Sequence, residues 1–146
     1  MRILLLIPLL GVVVWIGGMF FAHTCLRPEA AKQLPPPQRL PLLAGILGRF
    51  FQAVAVAIVA IFATGLLRFA DLHGAPAPAA WHAMAGIATI MLAIFAYIVI
   101  HPYRALRRAV ESQSWQDGGK AMDAVRKLVF TNLLLGVLVI VIAFVG

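Results

Sequence analysis

The chain has 146 residues, of which 63% are hydrophobic and only 12% are charged, and its mean hydropathy is +0.99. A water-soluble domain of this size cannot bury so many apolar side chains, so the composition predicts an integral membrane protein. The formal net charge of +7 then reflects membrane topology and contact with lipid headgroups, and we expect no nucleic-acid partner.

Four apolar runs dominate the chain, and each is long enough to cross the hydrocarbon core of a bilayer as a helix. They lie near residues 3–22, 50–69, 80–100 and 128–145. The sequence predicts an all-α membrane protein with a single domain over 1–146, a four-helix transmembrane bundle with loops at 24–48 and 101–127. No small-x-small cleavage site follows the first run, so we expect a membrane helix there rather than a signal peptide.

The first helix ends in the side chains best suited to ligand binding in that half of the chain. Trp15, Met19 and His23 follow one another at four-residue spacing, which places them on one helical face. Gly17 and Gly18 leave the neighbouring surface nearly bare, which suits close approach of another helix. Packing is the simpler interpretation for Trp15 and Met19, and presentation of groups to a buried ligand is the alternative.

The distribution of Lys and Arg predicts the orientation of the helices. The two long loops, together with Arg49, carry ten of the twelve cationic residues, leaving Arg2 and Arg68 for the other side. Because loops rich in Lys and Arg stay in the cytoplasm, we expect both termini on the periplasmic side of a bacterial inner membrane. The single Cys25 excludes an internal disulfide, and its predicted cytoplasmic position would keep it reduced.

This topology divides the four histidines between the two membrane surfaces. His23 and His101 are expected near the cytoplasmic surface, and His73 and His82 near the outer one. His82 and His101 end the same helix about 28 Å apart, at a rise of 1.5 Å per residue, so they cannot share a site. The sequence therefore allows two polar clusters, one in each leaflet.

The inner cluster could hold haem b or copper. A bis-imidazole haem needs two histidines on facing helices and cationic side chains for its propionates, and His23 with His101 would serve as the axial pair. The cationic candidates are Arg27, Arg49, Arg104, Arg107 and Arg108, and the polar side chains expected at the same depth are Gln52, Thr131 and Asn132. Copper(I) would favour the softer set of Met19, His23 and Cys25. In the simpler interpretation the histidines bond to helix ends and the arginines to lipid phosphate.

The outer cluster is a weaker candidate for a metal site. Asp71, His73 and His82 could hold a metal ion at the membrane mouth, with Met84 close to His82 in sequence. A solvated turn is the simpler interpretation of Asp71 and His73, since both lie in a short loop.

Several motifs in this order resemble the small four-helix members of the CopD copper-resistance family. They are Trp-x-Gly-Gly-x-Phe-Phe at 15–21, a basic proline-containing loop, Trp-His at 81–82 and Pro-Tyr-Arg-x-Leu-Arg-Arg at 102–108. The resemblance implies a role in copper tolerance and copper passage across the inner membrane. The chain is more distantly similar to HemJ-type proteins, four-helix haem-b proteins that serve as protoporphyrinogen oxidases.

Two positions depart from these families. Pro8 stands where a histidine is common seven residues before the tryptophan of the first helix, and Met84 stands near the position of a HemJ-type lysine. His82 is the one histidine that matches the families in place.

Three functions follow as hypotheses. The first is binding or passage of copper, through Met19, His23 and Cys25 or through His82 and Met84. The second is a haem-b membrane oxidoreductase, with His82 as a further axial candidate. The third is an accessory subunit that packs against a larger membrane complex. No carboxylate lies in a predicted span and no catalytic constellation is present in the sequence, so we lean against an enzyme.

The lipid bilayer is the first partner that the sequence predicts. Transport by so small a bundle would need a homo-oligomer or a partner membrane subunit. Contact through the small residues around Gly11 and Gly18, or along the alanine-rich second helix, is expected.

Overall fold

The computed structural model describes residues 2–145, and every regular element in that range is a helix. In chain order these are α1 (Arg2–Phe21), a π-helical turn (Ala22–Leu26), α2 (Arg27–Gln33), α3 (Pro36–Ala70), α4 (Ala79–Ile100), α5 (Pro102–Glu111) and α6 (Trp115–Val145). Within the described residues, four helical stretches are long and apolar enough to cross a membrane. The predicted all-α, four-helix transmembrane bundle is therefore confirmed, and the side of the membrane on which the termini lie stays a prediction.

The segment predicted as the first loop, 24–48, is mostly helical. α1 continues through the π-helical turn into α2, and the chain leaves the helix only at Leu34 and Pro35 before α3 begins at Pro36. Proline lacks an N–H and has a fixed φ, and both properties suit the first turn of a helix. The proline run therefore starts α3 as well as interrupting the preceding helix.

The segment predicted as the third loop, 101–127, is also mostly helical. α5 buries Tyr103, Leu106 and Ala109 and leaves its arginines exposed, so it is an amphipathic helix. The chain breaks at 112–114, and Gly118 lies inside α6. A Cβ on Gly118 would come within 2.9 Å of the Leu40 side chain, so this glycine allows α6 to approach α3 closely.

The helices pack in pairs, α1 with α3 and α4 with α6, and α6 also contacts α1 and α3. α3 and α4, although joined by a short turn, meet through aromatic side chains. The ring centroids of Phe69 and Trp81 lie 5.5 Å apart and those of Phe51 and Phe95 lie 5.6 Å apart, both edge to face. α3 and α4 are therefore in contact through these bulky rings rather than through closely packed backbones.

The face of α1 that carries Trp15 and Met19 belongs to the core of the bundle. Both side chains are almost completely buried, at 3% and 2% exposure, as the packing interpretation predicts. The small-residue face of α1 is covered within the same chain, since a Cβ on Gly18 would collide with Phe50 and one on Gly11 would come within 2.9 Å of Ile61. This face packs against α3 and is not free for a second protein.

Candidate functional site

A small pocket lies where the π-helical turn meets α2, α3 and α6, and we call it the His23 pocket. Its lining residues are Ala22, His23, Leu26, Arg27, Leu43, Leu47, Met122, Val125, Arg126 and Val129. The cavity volume is about 20 Å³, which is room for one water molecule or one ion. We call this end of the bundle, which holds most of the arginines, the basic end.

His23, which lines this pocket, has an unsatisfied polar atom. Its Nδ1 is buried and has no hydrogen-bond partner, and its ring stacks on Phe130 of α6 with centroids 4.7 Å apart. His23 lies in the π-helical turn at 22–26, a distortion that is frequent at functional sites. A buried nitrogen without a partner is unusual in native structures, and a ligand would satisfy it.

Met122 of α6 lines the same pocket, although no motif in the sequence points to it. It lies far along the chain from His23, and only the packing of α6 against α1 and α3 brings the two together. The available signal was modest: Met122, Val125 and Val129 recur at helical spacing and form an apolar face. Met19, four residues before His23, is buried in the core of the bundle.

Arginines surround the polar side of the pocket and continue into a second, larger cavity, which we call the arginine pocket. Its lining residues are Arg27, Ala31, Arg39, Leu40, Leu43, Gly119, Met122, Asp123 and Arg126, and its volume is about 160 Å³. The Asp123 carboxylate is already paired, accepting from Arg126 Nη2 at 2.6 Å and from Lys127 Nζ at 3.2 Å. These hydrogen bonds, first from Arg126 and then from Lys127, hold the pKa of the Asp123 carboxyl below its usual range.

The other residues that the sequence predicts for a site at the basic end do not line the His23 pocket. Cys25 is exposed, and so are Arg104 and Arg108 on the outer face of α5. His101 is exposed and lies against Tyr97 of its own helix, with ring centroids 4.8 Å apart. It is not among the residues that line the His23 pocket, so the structure does not place the two imidazoles around one cavity.

The polar residues expected beside the histidines also lie outside the His23 pocket. Gln52 is exposed, and the Thr131 hydroxyl donates to the carbonyl of Lys127 in its own helix at 3.0 Å. Asn132 is buried, and its carboxamide donates to the carbonyl of Met91 at 3.1 Å. It ties α6 to α4 inside the bundle and does not contribute to the His23 pocket.

The opposite end of the bundle holds the second predicted cluster. His82 is exposed beside Phe69, whereas Met84 lines an apolar cleft of about 280 Å³ under Arg68 and Trp81. Residues two positions apart point away from each other on a helix, so His82 and Met84 do not converge. Asp71 and His73 are exposed in the turn. Among the described residues, no group of three or more His, Cys, Asp or Glu side chains could hold a metal ion.

Comparison with known families gives one match. The profile of the family described as Copper resistance protein D (CopD) matches residues 44–145, which include most of α3 and all of α4, α5 and α6. Met122 and Arg126 fall inside the matched region, whereas His23 and Arg27 precede it. No curated protein and no solved structure matches the chain.

Proposed function

The chain belongs to the CopD copper-resistance family, and we propose that this multi-pass membrane protein binds or passes copper(I) at a bacterial inner membrane, with His23 as the nitrogen ligand. The observation that carries this proposal is the buried Nδ1 of His23, which has no hydrogen-bond partner. His23 and Met122 line the same pocket. Copper is the cargo here, not a resident cofactor.

The donor chemistry of the pocket fits copper(I). Imidazole nitrogen and thioether sulfur are ligands that copper(I) accepts readily, and hard carboxylate ligands are not needed. Met122 supplies a thioether beside His23, and Met19 lies one turn away on the same helix face. Exposed Cys25 stays a candidate for taking up or releasing the ion, and His82 with Met84 at the opposite end is the alternative ligand set to the His23 pocket.

The arginines favour weak and reversible binding. Arg27 and Arg126 line the same pocket, and their positive charge opposes entry of a metal cation. Repulsion grows with the charge of the ion, so the pocket discriminates against copper(II) more strongly than against copper(I). Weak binding suits a protein that hands an ion on.

Haem b is less well supported by the geometry. Bis-histidine ligation requires two imidazoles that face one cavity, and the exposed His101 does not line the His23 pocket. The accessory-subunit hypothesis remains the alternative if no copper binds.

Passage of copper through the bundle would require help from a second copy or a partner subunit. The interior of the bundle is filled, since Val54, Met91 and Ile98 are almost completely buried. α3 also leaves Ala53, Ala55 and Ala63 exposed, and small side chains of this kind allow another helix to approach closely.

Copper(I) affinity of the purified protein tests the proposal. Anaerobic competition with a coloured copper(I) chelator should show binding by the wild type, an affinity at least tenfold weaker in His23→Ala, and no change in the control His101→Ala. An absorption spectrum of the same sample would reveal a Soret band and so support haem instead. Equal affinities in wild type and His23→Ala, or no copper binding at all, would overturn the proposal.

A further inference from the structure

The arginine pocket collects three cationic side chains from three helices. Arg27 comes from α2, Arg39 from α3 and Arg126 from α6, and Asp123 is the one acidic residue among those that line the described cavity. The charged groups of the lining therefore sum to an excess of positive charge. A cavity of about 160 Å³ has several times the volume of one water molecule, about 30 Å³ in the liquid.

Two of the three guanidinium groups have donors to spare. Arg27 Nε is buried without a hydrogen-bond partner. Arg39 Nη1 makes only long contacts, 3.4 Å each, to the carbonyls of Ala31 and Leu34. Among the described residues neither Arg27 nor Arg39 is paired with a carboxylate. An arginine carries five N–H donors in a planar fork, so the pocket is rich in donors and poor in acceptors.

The fold brings these groups together at short range. The connection between α2 and α3 is only Leu34 and Pro35, so Arg27 and Arg39 flank one tight turn. Gly118 lets α6 approach Leu40 of α3. This close packing brings Arg126 of α6 to the pocket that Arg27 and Arg39 also line. The pocket lies outside the apolar segments that end near 22 and begin near 50 and 128, at the level where lipid headgroups meet water.

We propose that the arginine pocket binds a phosphate-class anion, either free phosphate or the phosphate of an anionic lipid headgroup. Guanidinium forks match tetrahedral oxyanions in geometry, and charge-assisted hydrogen bonds of this kind are the strong ones. The anion would supply the acceptor that the buried Arg27 Nε lacks. This site uses other atoms than the proposed copper ligands and does not depend on copper binding.

Thermal unfolding of the purified protein in a neutral detergent tests this proposal and separates the two sources. One series receives inorganic phosphate, compared with chloride at equal ionic strength. The other receives phosphatidylglycerol, compared with phosphatidylcholine. A rise in Tm with inorganic phosphate assigns free phosphate, and a rise only with phosphatidylglycerol assigns the lipid headgroup. No rise in either series would overturn the proposal.

Matched variants test whether the pocket itself is responsible. Arg39→Gln and Arg27→Gln should each raise the anion concentration needed for half of the Tm rise by about tenfold, as expected for losing a charge-assisted hydrogen bond. Arg108→Gln removes an equal charge from the exposed face of α5 and should leave that concentration unchanged. If Arg27→Gln fails to fold, Arg39→Gln alone decides. An equal effect of Arg108→Gln would show diffuse attraction to surface charge and overturn the assigned site.

Discussion

The carboxamide of Asn132 donates a hydrogen bond from Nδ2 to the backbone carbonyl of Met91, 3.1 Å away, between α6 and α4. Asn132 is 1% exposed, and its Oδ1 is buried without a partner. One turn further along α6, Gly136 allows the side chain of Ile16 to approach, since a Cβ there would lie 2.7 Å from it. The contact thus lies where α1, α4 and α6 meet inside the membrane.

Replacing Asn132 with alanine should lower the free energy of unfolding by about 0.6–2 kcal/mol, the range expected for an interhelical hydrogen bond in a membrane. Titration with a denaturing detergent in mixed micelles measures it. Thr131→Ala is the matched control, because that exposed hydroxyl bonds only within its own helix and its loss should change stability by less than about 0.5 kcal/mol. A similar loss for both variants would contradict the structural role of the Asn132 contact.

Gly48 and Gly45, one turn apart on α3, should respond to alanine in opposite ways. The Tyr103 hydroxyl donates to the carbonyl of Ala44 at 2.8 Å, and a Cβ on Gly48 would lie 2.6 Å from that hydroxyl oxygen. Gly48→Ala should therefore destabilise the protein by about 1–3 kcal/mol. A Cβ on Gly45 meets open space, so Gly45→Ala should stabilise the helix by up to about 1 kcal/mol.

A double-mutant cycle locates the origin of the Gly48 effect. If the clash with Tyr103 is the cause, Gly48→Ala should destabilise a Tyr103→Phe background less than the wild type, since the hydroxyl is already gone. Additive effects of the two substitutions in the detergent titration would place the cause elsewhere.

Features that depend on hydropathy and helical periodicity were predictable from the sequence, whereas contacts between residues far apart in the chain were not. Hydropathy alone predicts the four spans, and four-residue spacing predicts that Trp15 and Met19 share the buried face of α1. In the connection at 24–48 the proline run predicts a break in the helix, and the helices on both sides extend further into it than hydropathy indicates, because proline both interrupts and starts helices. Which of the two it does at Pro36 depends on the residues that α3 buries beyond it.

The candidate site was predictable only through His23. Spacing placed this residue on the ligand-bearing face of α1, but it could not show that Met122 and Arg126, both on α6, would lie beside it. The partners predicted instead, such as His101 and Asn132, were expected at the same depth in the membrane as His23, but they do not line its pocket. Depth in the membrane follows from position along one helix, whereas the facing of two helices depends on how all of them pack.

Asp123→Asn should raise the affinity of the arginine pocket for phosphate several-fold at neutral pH. Asp123 Oδ1 accepts hydrogen bonds from both Nε and Nη2 of Arg126, at 3.1 and 2.6 Å. The uncharged amide of asparagine would compete less strongly with phosphate for that guanidinium. Because the pKa of Asp123 is lowered in the folded protein, its ion pairs contribute their full stabilisation above the ordinary carboxyl range, and this is lost as pH falls through the lowered pKa. At neutral pH the carboxylate is therefore charged, and the substitution has its full effect.

The phosphate concentration for half of the Tm rise measures this change. Asp117→Asn is the control, since it removes an equal charge from the exposed first turn of α6 outside the pocket lining. The same gain in both variants would point to net charge rather than to release of Arg126.

Met122→Leu should weaken copper(I) binding several-fold while leaving the fold intact. Leucine conserves most of the volume of methionine, so the exchange should change stability by less than about 1.5 kcal/mol, but it removes the thioether beside His23. Met84→Leu makes the same exchange in the apolar cleft at the opposite end and should leave affinity for copper(I) unchanged. The anaerobic chelator competition measures both variants, with thermal unfolding as the check on folding.

If Met122→Leu bound copper(I) as tightly as the wild type, His23 would act without this sulfur. Weakening by Met84→Leu alone would move the ligand set to the opposite end, beside His82, where the imidazole is exposed and no arginine pocket adjoins it.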